Sequence, residues 1–152
     1  MARVVGSFQI CKGTSTAALF HYLRDYDTAR KISRDGFFIP SEDETLYNFE
    51  HNNKPHINLT EVRPEERKQE IQIATSIPEG DIKFGLEFLV STKNLVDSPY
   101  LVRSYRIYSE ENVPVRVLRI WNVDKVEQKI RSGYKIRRFI GPNGIPYAFY
   151  SR

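Results

Sequence analysis

The sequence predicts an α+β domain in which antiparallel strands outnumber helices. Three observations lead there. Short apolar runs alternate at strand spacing, as in "IKFGLEFLV" (82–90), where Phe84, Leu86, Phe88 and Val90 share one face and Glu87 takes the other. Helix-type spacing, in contrast, is confined to a few short segments. The chain has 152 residues, 40% apolar and 28% charged, enough to bury one core without disulfide or metal staples. The expected arrangement is a single domain over 1–152 of mostly antiparallel sheets, with two small packed sheets as the candidate form and two to three helices outside.

The elements follow in order. "RVVGSFQI" (3–10) and "AALFHYL" (17–23) read as strands separated by the turn material "KGTST". Residues 27–35 read as a helix capped by Asp27 or Thr28, with Ala29 and Ile32 inward and Gly36 as a left-handed stop. "FFIP" (37–40) is a short buried return. Residues 41–55, polar and rich in breakers, read as a mobile loop. "HINLTEV" (56–62) is a strand, and "RPEERKQEI" (63–71) begins a helix with Pro64 near its first position. On that helix Glu65, Glu66 and Glu70 read as a solvated face. After the turn "IPEGD" come strands 82–90, 100–108 and 113–121, the last two joined by the acidic turn "SEEN". Residues 123–133 form a helix with Val123, Val126 and Ile130 inward, and 134–140 with 145–150 close a hairpin around "GPNG".

Several function classes drop out. Cys11 is the only cysteine, which excludes an intrachain disulfide and a cysteine-based zinc site. His21, His51 and His56 lack metal-ligand spacing, so no metal is expected. The phosphate-loop, dinucleotide-fingerprint, zinc-protease and nucleophile-elbow motifs are missing. No apolar stretch has signal-peptide or membrane-span length, which predicts a soluble cytoplasmic protein with no membrane partner. Charge is uneven: residues 1–97 carry 12 Lys and Arg against 15 Asp and Glu, whereas residues 98–152 carry 11 against 4. Arg103, Arg106, Arg116 and Arg119 recur at strand spacing with Tyr105 and Tyr108 between them. That mixture suits either a nucleic-acid backbone or cross-strand salt pairs.

Two segments carry the chemistry. "LFHYLRDYDTARKISRDGFFIPS" (19–41) joins a strand ending in His21-Tyr22 to a helix, a glycine, and Pro40-Ser41. "HINLTEVRPEER" (56–67) is a strand ending in Asn58-Leu59-Thr60-Glu61 before a proline-led acidic segment. Together they resemble the ADP-ribosyltransferase fold, in particular its bacterial toxin domains with a His–Tyr–Asp signature. The likeness spans about residues 17–66. His21, Tyr22, Gly36, Pro40 and Ser41 match its first half, and Leu59, Thr60, Glu61 and, loosely, Pro64 its second. Asn58 stands where the family has the tyrosine of the nicotinamide-ribose wall, and Glu61 where it has aspartate.

The resemblance implies an NAD-dependent toxin or effector that cleaves the nicotinamide–ribose bond and modifies a protein or nucleic-acid target. NAD would be its substrate, held by His21, Tyr22, Asn58 and Thr60. Cleavage develops positive charge on the ribose, so a carboxylate must lie near the developing cation. Glu61 is the first candidate and Glu111 the second, with Glu87 and Glu110 behind them. A shared site requires strands 17–23 and 56–61 to be neighbours, with helix 27–35 packed on their sheet. The competing reading is a non-catalytic α+β module that contacts RNA or an acidic protein partner through the basic C-terminal third.

Overall fold

The computed structural model describes residues 9–10, 16–41 and 54–152. The chain forms one α+β domain built on a mostly antiparallel sheet. Its strands are β1 (Gln9–Ile10), β2 (Thr16–Leu23), β4 (His56–Thr60), β5 (Phe84–Ser91), β6 (Leu95–Asp97), β7 (Ser104–Tyr108) and β9 (Arg116–Asn122). They run in the order β6-β7-β4-β2-β5-β9, with β1 pairing β2 beside this path. Two small two-stranded sheets complete the strands: β3 (Phe37–Phe38) with β8 (Val113–Pro114), and β10 (Lys135–Ile140) with β11 (Pro146–Ser151).

β2 lies at the centre and is buried on both faces, which explains its nearly unbroken apolar run. Ala17 and Leu19 point into a first core with Leu59, Leu86, Phe88 and Tyr105. Helix α1 (Tyr26–Asp35) closes that face through Ala29 and Ile32, beside the β3–β8 pair. Phe20 and Tyr22 point the other way, into a second core with Trp121, Val62 and Ile71. Helices α2 (Lys68–Thr75) and α3 (Val123–Arg131) cover that face, together with the inner side of the β10–β11 hairpin. The sheet therefore has a core on each side.

Strands 17–23 and 56–61 are neighbours, as a shared site requires. Several local expectations need correction. Asp25, not Asp27 or Thr28, caps α1: its carboxylate accepts from Asp27 N at 3.1 Å and from the Thr28 hydroxyl at 2.8 Å. Gly36 does supply the left-handed stop, at φ 76°. α2 starts at Lys68 instead of Arg63. The segment before it is a turn closed by Glu66, whose carboxylate accepts from Arg63 N at 2.8 Å and from both terminal nitrogens of Arg103. Glu65 is no solvated helix residue either, because Arg138 grips its carboxylate at 2.7 and 2.9 Å.

The "SEEN" turn does not join a sheet hairpin. The chain leaves β7, forms β8 against β3, breaks at Val115, and continues as β9 on the far edge beside β5. On α3, Val123 and Val126 are buried, but Ile130 is exposed. The first expected strand is described only at Gln9–Ile10, and residues 42–53 of the expected mobile loop lie outside the described residues. Among the described residues no helix is long and apolar enough to cross a membrane.

Candidate functional site: a split between two central strands

β2 pairs β5 along all its residues from Thr16 to Leu23, yet touches β4 at one ladder position, Phe20 opposite Thr60. β4 keeps its other edge on β7, from His56–Tyr108 to Thr60–Ser104. Beyond Phe20 and Thr60, therefore, the sheet parts. The side chain of His21 spans the gap, with Nδ1 2.9 Å from the carbonyl oxygen of Asn58. A carbonyl can only accept, so Nδ1 carries the proton and the neutral ring offers Nε2 as an acceptor. Burial lowers the pKa of this imidazole below its ordinary value, and the Asn58 carbonyl pulls weakly the other way. The ring also meets Phe38 edge-on, with centroids 4.9 Å apart.

Two hollows flank the split, and His21 and Asn58 line both. The larger, about 410 Å³, lies between the sheet and α1, with Thr28, Ile32, Asp35, Phe38 and Ser41 in its wall. The smaller, about 160 Å³, is lined also by Tyr22, Thr60, Ala74 and Ile77. The larger volume falls within the usual range for a small-molecule site.

Four of the residues singled out from sequence thus meet at one place, although their free polar groups differ. The Tyr22 hydroxyl donates to the Val62 carbonyl at 2.6 Å, and burial, with Glu65 and Glu66 nearby, pushes its pKa well above the usual value. Thr60 donates to the Arg103 carbonyl at 2.8 Å and accepts from Val62 N at 3.1 Å. Both serve as wall. Asn58 accepts from Arg106 Nε through Oδ1 at 3.1 Å, which leaves its amide nitrogen as the donor side. An acceptor on His21 and a donor on Asn58 form a complementary pair for a hydroxyl or carboxamide.

Neither candidate carboxylate lines these hollows. Glu61 is buried, bound by the Tyr105 hydroxyl at 2.5 Å with Arg103 Nε at 3.8 Å. Burial first, and this hydrogen bond second, raise the Tyr105 pKa. Glu111 sits in the exposed turn before β8, where its backbone N–H and carbonyl both bond Ser109 Oγ. Glu110 shares that turn.

Glu87 is not on a polar face: it is 1% exposed, inside the second core. Trp121 Nε1 donates to it at 2.8 Å, Arg119 at 3.0 Å, and Arg138 at 3.3 and 3.4 Å. Arg119 is its ladder partner, so of the two readings of the arginines the cross-strand salt pair is the one present at Arg119. Arg106 is likewise opposite Asn58 and fully buried. Among the described residues no cluster of three or more His, Cys, Asp or Glu could hold a metal ion. The walls supplied by Ala74 and Ile77 had no signal in the motifs; they arrive through the packing of α2 and of the residues just after it.

Comparison with known proteins brings no relative to bear: no family model, no curated protein and no solved structure matches the chain.

Proposed function

We propose that the split binds NAD and that the domain breaks its nicotinamide–ribose bond to pass ADP-ribose to a macromolecule. The resemblance to ADP-ribosyltransferase-fold toxin domains supplies the chemistry. The observation that carries the reading is the convergence of His21, Tyr22, Asn58 and Thr60, two from each resembling segment, on one gap in the sheet. In this account His21 Nε2 accepts from a ribose hydroxyl while Nδ1 stays fixed on Asn58. The Asn58 amide donates to the sugar or the carboxamide in place of the family tyrosine. Held by two directional bonds, the ribose loses part of its freedom before the bond breaks. Nicotinamide then leaves with the bonding electrons, and positive charge grows on the ribose carbon until a nucleophile of the target adds to it.

The carboxylate that steadies this cation is assigned to Glu111. Its side chain makes no hydrogen bond or ion pair among the described residues, and its turn leads directly into β8, which pairs with the Phe38 wall. Glu61 is assigned the structural task of holding Tyr105.

The test is release of nicotinamide from NAD by the wild type, Glu111→Gln and Glu61→Gln. Turnover by the wild type, lost in Glu111→Gln with NAD affinity kept, supports the account. NAD binding without turnover in any form removes the transferase chemistry and leaves a nucleotide-binding domain. Absence of both removes the reading.

A further inference from the structure

The β10–β11 hairpin packs on the second core by one face only. Ile136, Ala148 and Tyr150 turn inward, while Lys135, Arg137, Phe139, Tyr147 and Phe149 turn to solvent. Three large aromatic side chains therefore stand together in water: Phe139 is 49% exposed, Tyr147 41% and Phe149 49%. They are ordered against each other. The Phe139 and Tyr147 rings stack with centroids 5.4 Å apart, and Phe149 meets Phe139 edge-on at 6.0 Å. Gly141 leaves room for the Tyr147 ring, which a Cβ there would strike. An exposed apolar cluster of this kind marks a docking surface.

Charge identifies the occupant. Residues 134–152 hold four Lys and Arg and no Asp or Glu. Arg138 turns inward and is matched by Glu65 and Glu87. Lys135 and Arg137 stay on the outer face, and neither makes an ion pair among the described residues. Arg137, the ladder partner of Phe149, is held by the Ser151 hydroxyl at 3.0 Å. Rings that stack on bases, beside cations that meet phosphates, are the two parts of a single-strand platform. A purely hydrophobic partner would leave the cations unmatched, whereas a nucleic-acid strand brings phosphates and planar faces together.

We propose that the outer face of this hairpin docks single-stranded RNA. RNA is the nucleic acid that most often presents unpaired bases, in loops and at ends, and the Tyr147 and Ser151 hydroxyls can meet its 2′-hydroxyls.

The experiment is fluorescence-anisotropy titration of an unstructured 12-nucleotide RNA, its DNA counterpart and its duplex, at several salt concentrations. The single-stranded RNA is expected to bind most tightly. Phe149→Leu keeps an apolar side chain without a stacking face, so it should weaken RNA binding about tenfold, as should Phe139→Ala. Arg137→Ala should flatten the plot of log affinity against log salt by about 0.7. Melting curves confirm that each variant is folded, and NAD affinity should be the same in all of them, which separates this surface from the split. Absent binding, affinity unchanged in folded Phe149→Leu, tighter binding of duplex or DNA, or equal binding of polyglutamate would each overturn the proposal.

Discussion

His21 donates from Nδ1 to the carbonyl of Asn58 at 2.9 Å, beside the only ladder position that β2 and β4 share. A side chain thus does what a backbone N–H would do in an unbroken sheet. It leaves a gap at the centre of the domain instead of at its edge, and it fixes which imidazole nitrogen faces the gap. The account of function rests on that arrangement.

One consequence is a pH dependence with a defined sign. An unfolded histidine titrates near ~6.5, and in the folded chain burial lowers the value for His21. Between the two values the unfolded chain binds a proton that the folded chain does not, so stability rises with pH there. The His21 contribution is complete above ~6.5 and is lost as pH falls through the lowered folded value. Urea unfolding of the wild type and His21→Gln should show a stability gap that narrows on acidification. A gap that widens contradicts the tautomer and burial described here.

Glu87→Gln should be severely destabilising. It removes the charge on which Arg119 and Arg138 converge inside the second core, with Trp121 Nε1 as a third donor. Breaking a buried pair costs about 3–5 kcal/mol. For a chain of this size each kcal/mol lowers the melting temperature by about 2–4 °C. A calorimetric scan should therefore show a fall of about 10 °C.

Gly85→Ala tests the packing of Tyr22. A Cβ at Gly85 would lie 2.8 Å from the Tyr22 ring, which is pinned by its hydroxyl to Val62. The ring cannot yield without breaking that bond, and overpacking costs about 1–3 kcal/mol. Tyr22→Phe, losing the hydrogen bond alone, should cost about 1 kcal/mol. Denaturant titration of both variants checks the order: Gly85→Ala at least as damaging as Tyr22→Phe.

Much of the fold was legible because the signals are local. Alternation set out β5 and the two hairpin strands, and Gly36 set the end of α1. What escaped depends on distant partners. Pro64, Glu65 and Glu66 read as a helix start, but Arg138, 73 positions away, and Arg103, 37 away, draw the two glutamates into ion pairs. β6 is three residues long and exists only because β7 offers it an edge. The same division holds at the split. That His21, Tyr22, Asn58 and Thr60 would converge followed from two motifs at strand ends. That the Tyr22 and Thr60 hydroxyls would be spent on the carbonyls of Val62 and Arg103 did not, because those acceptors are backbone atoms beyond the strand ends.

Titration calorimetry with NAD on the wild type, His21→Ala and Asn122→Ala tests the central claim most directly. Asn122→Ala removes the α3 cap, which lines neither hollow, and should cost about 1 kcal/mol of stability. His21→Ala loses the hydrogen bond to Asn58 and the ring packed on Phe38, and should cost about 1–3 kcal/mol. Melting curves confirm that both variants are folded at the titration temperature. The account predicts NAD affinity unchanged in Asn122→Ala and at least about tenfold weaker in His21→Ala, the equivalent of one lost hydrogen bond. No heat from the wild type, or equal affinity in the two variants, would contradict it.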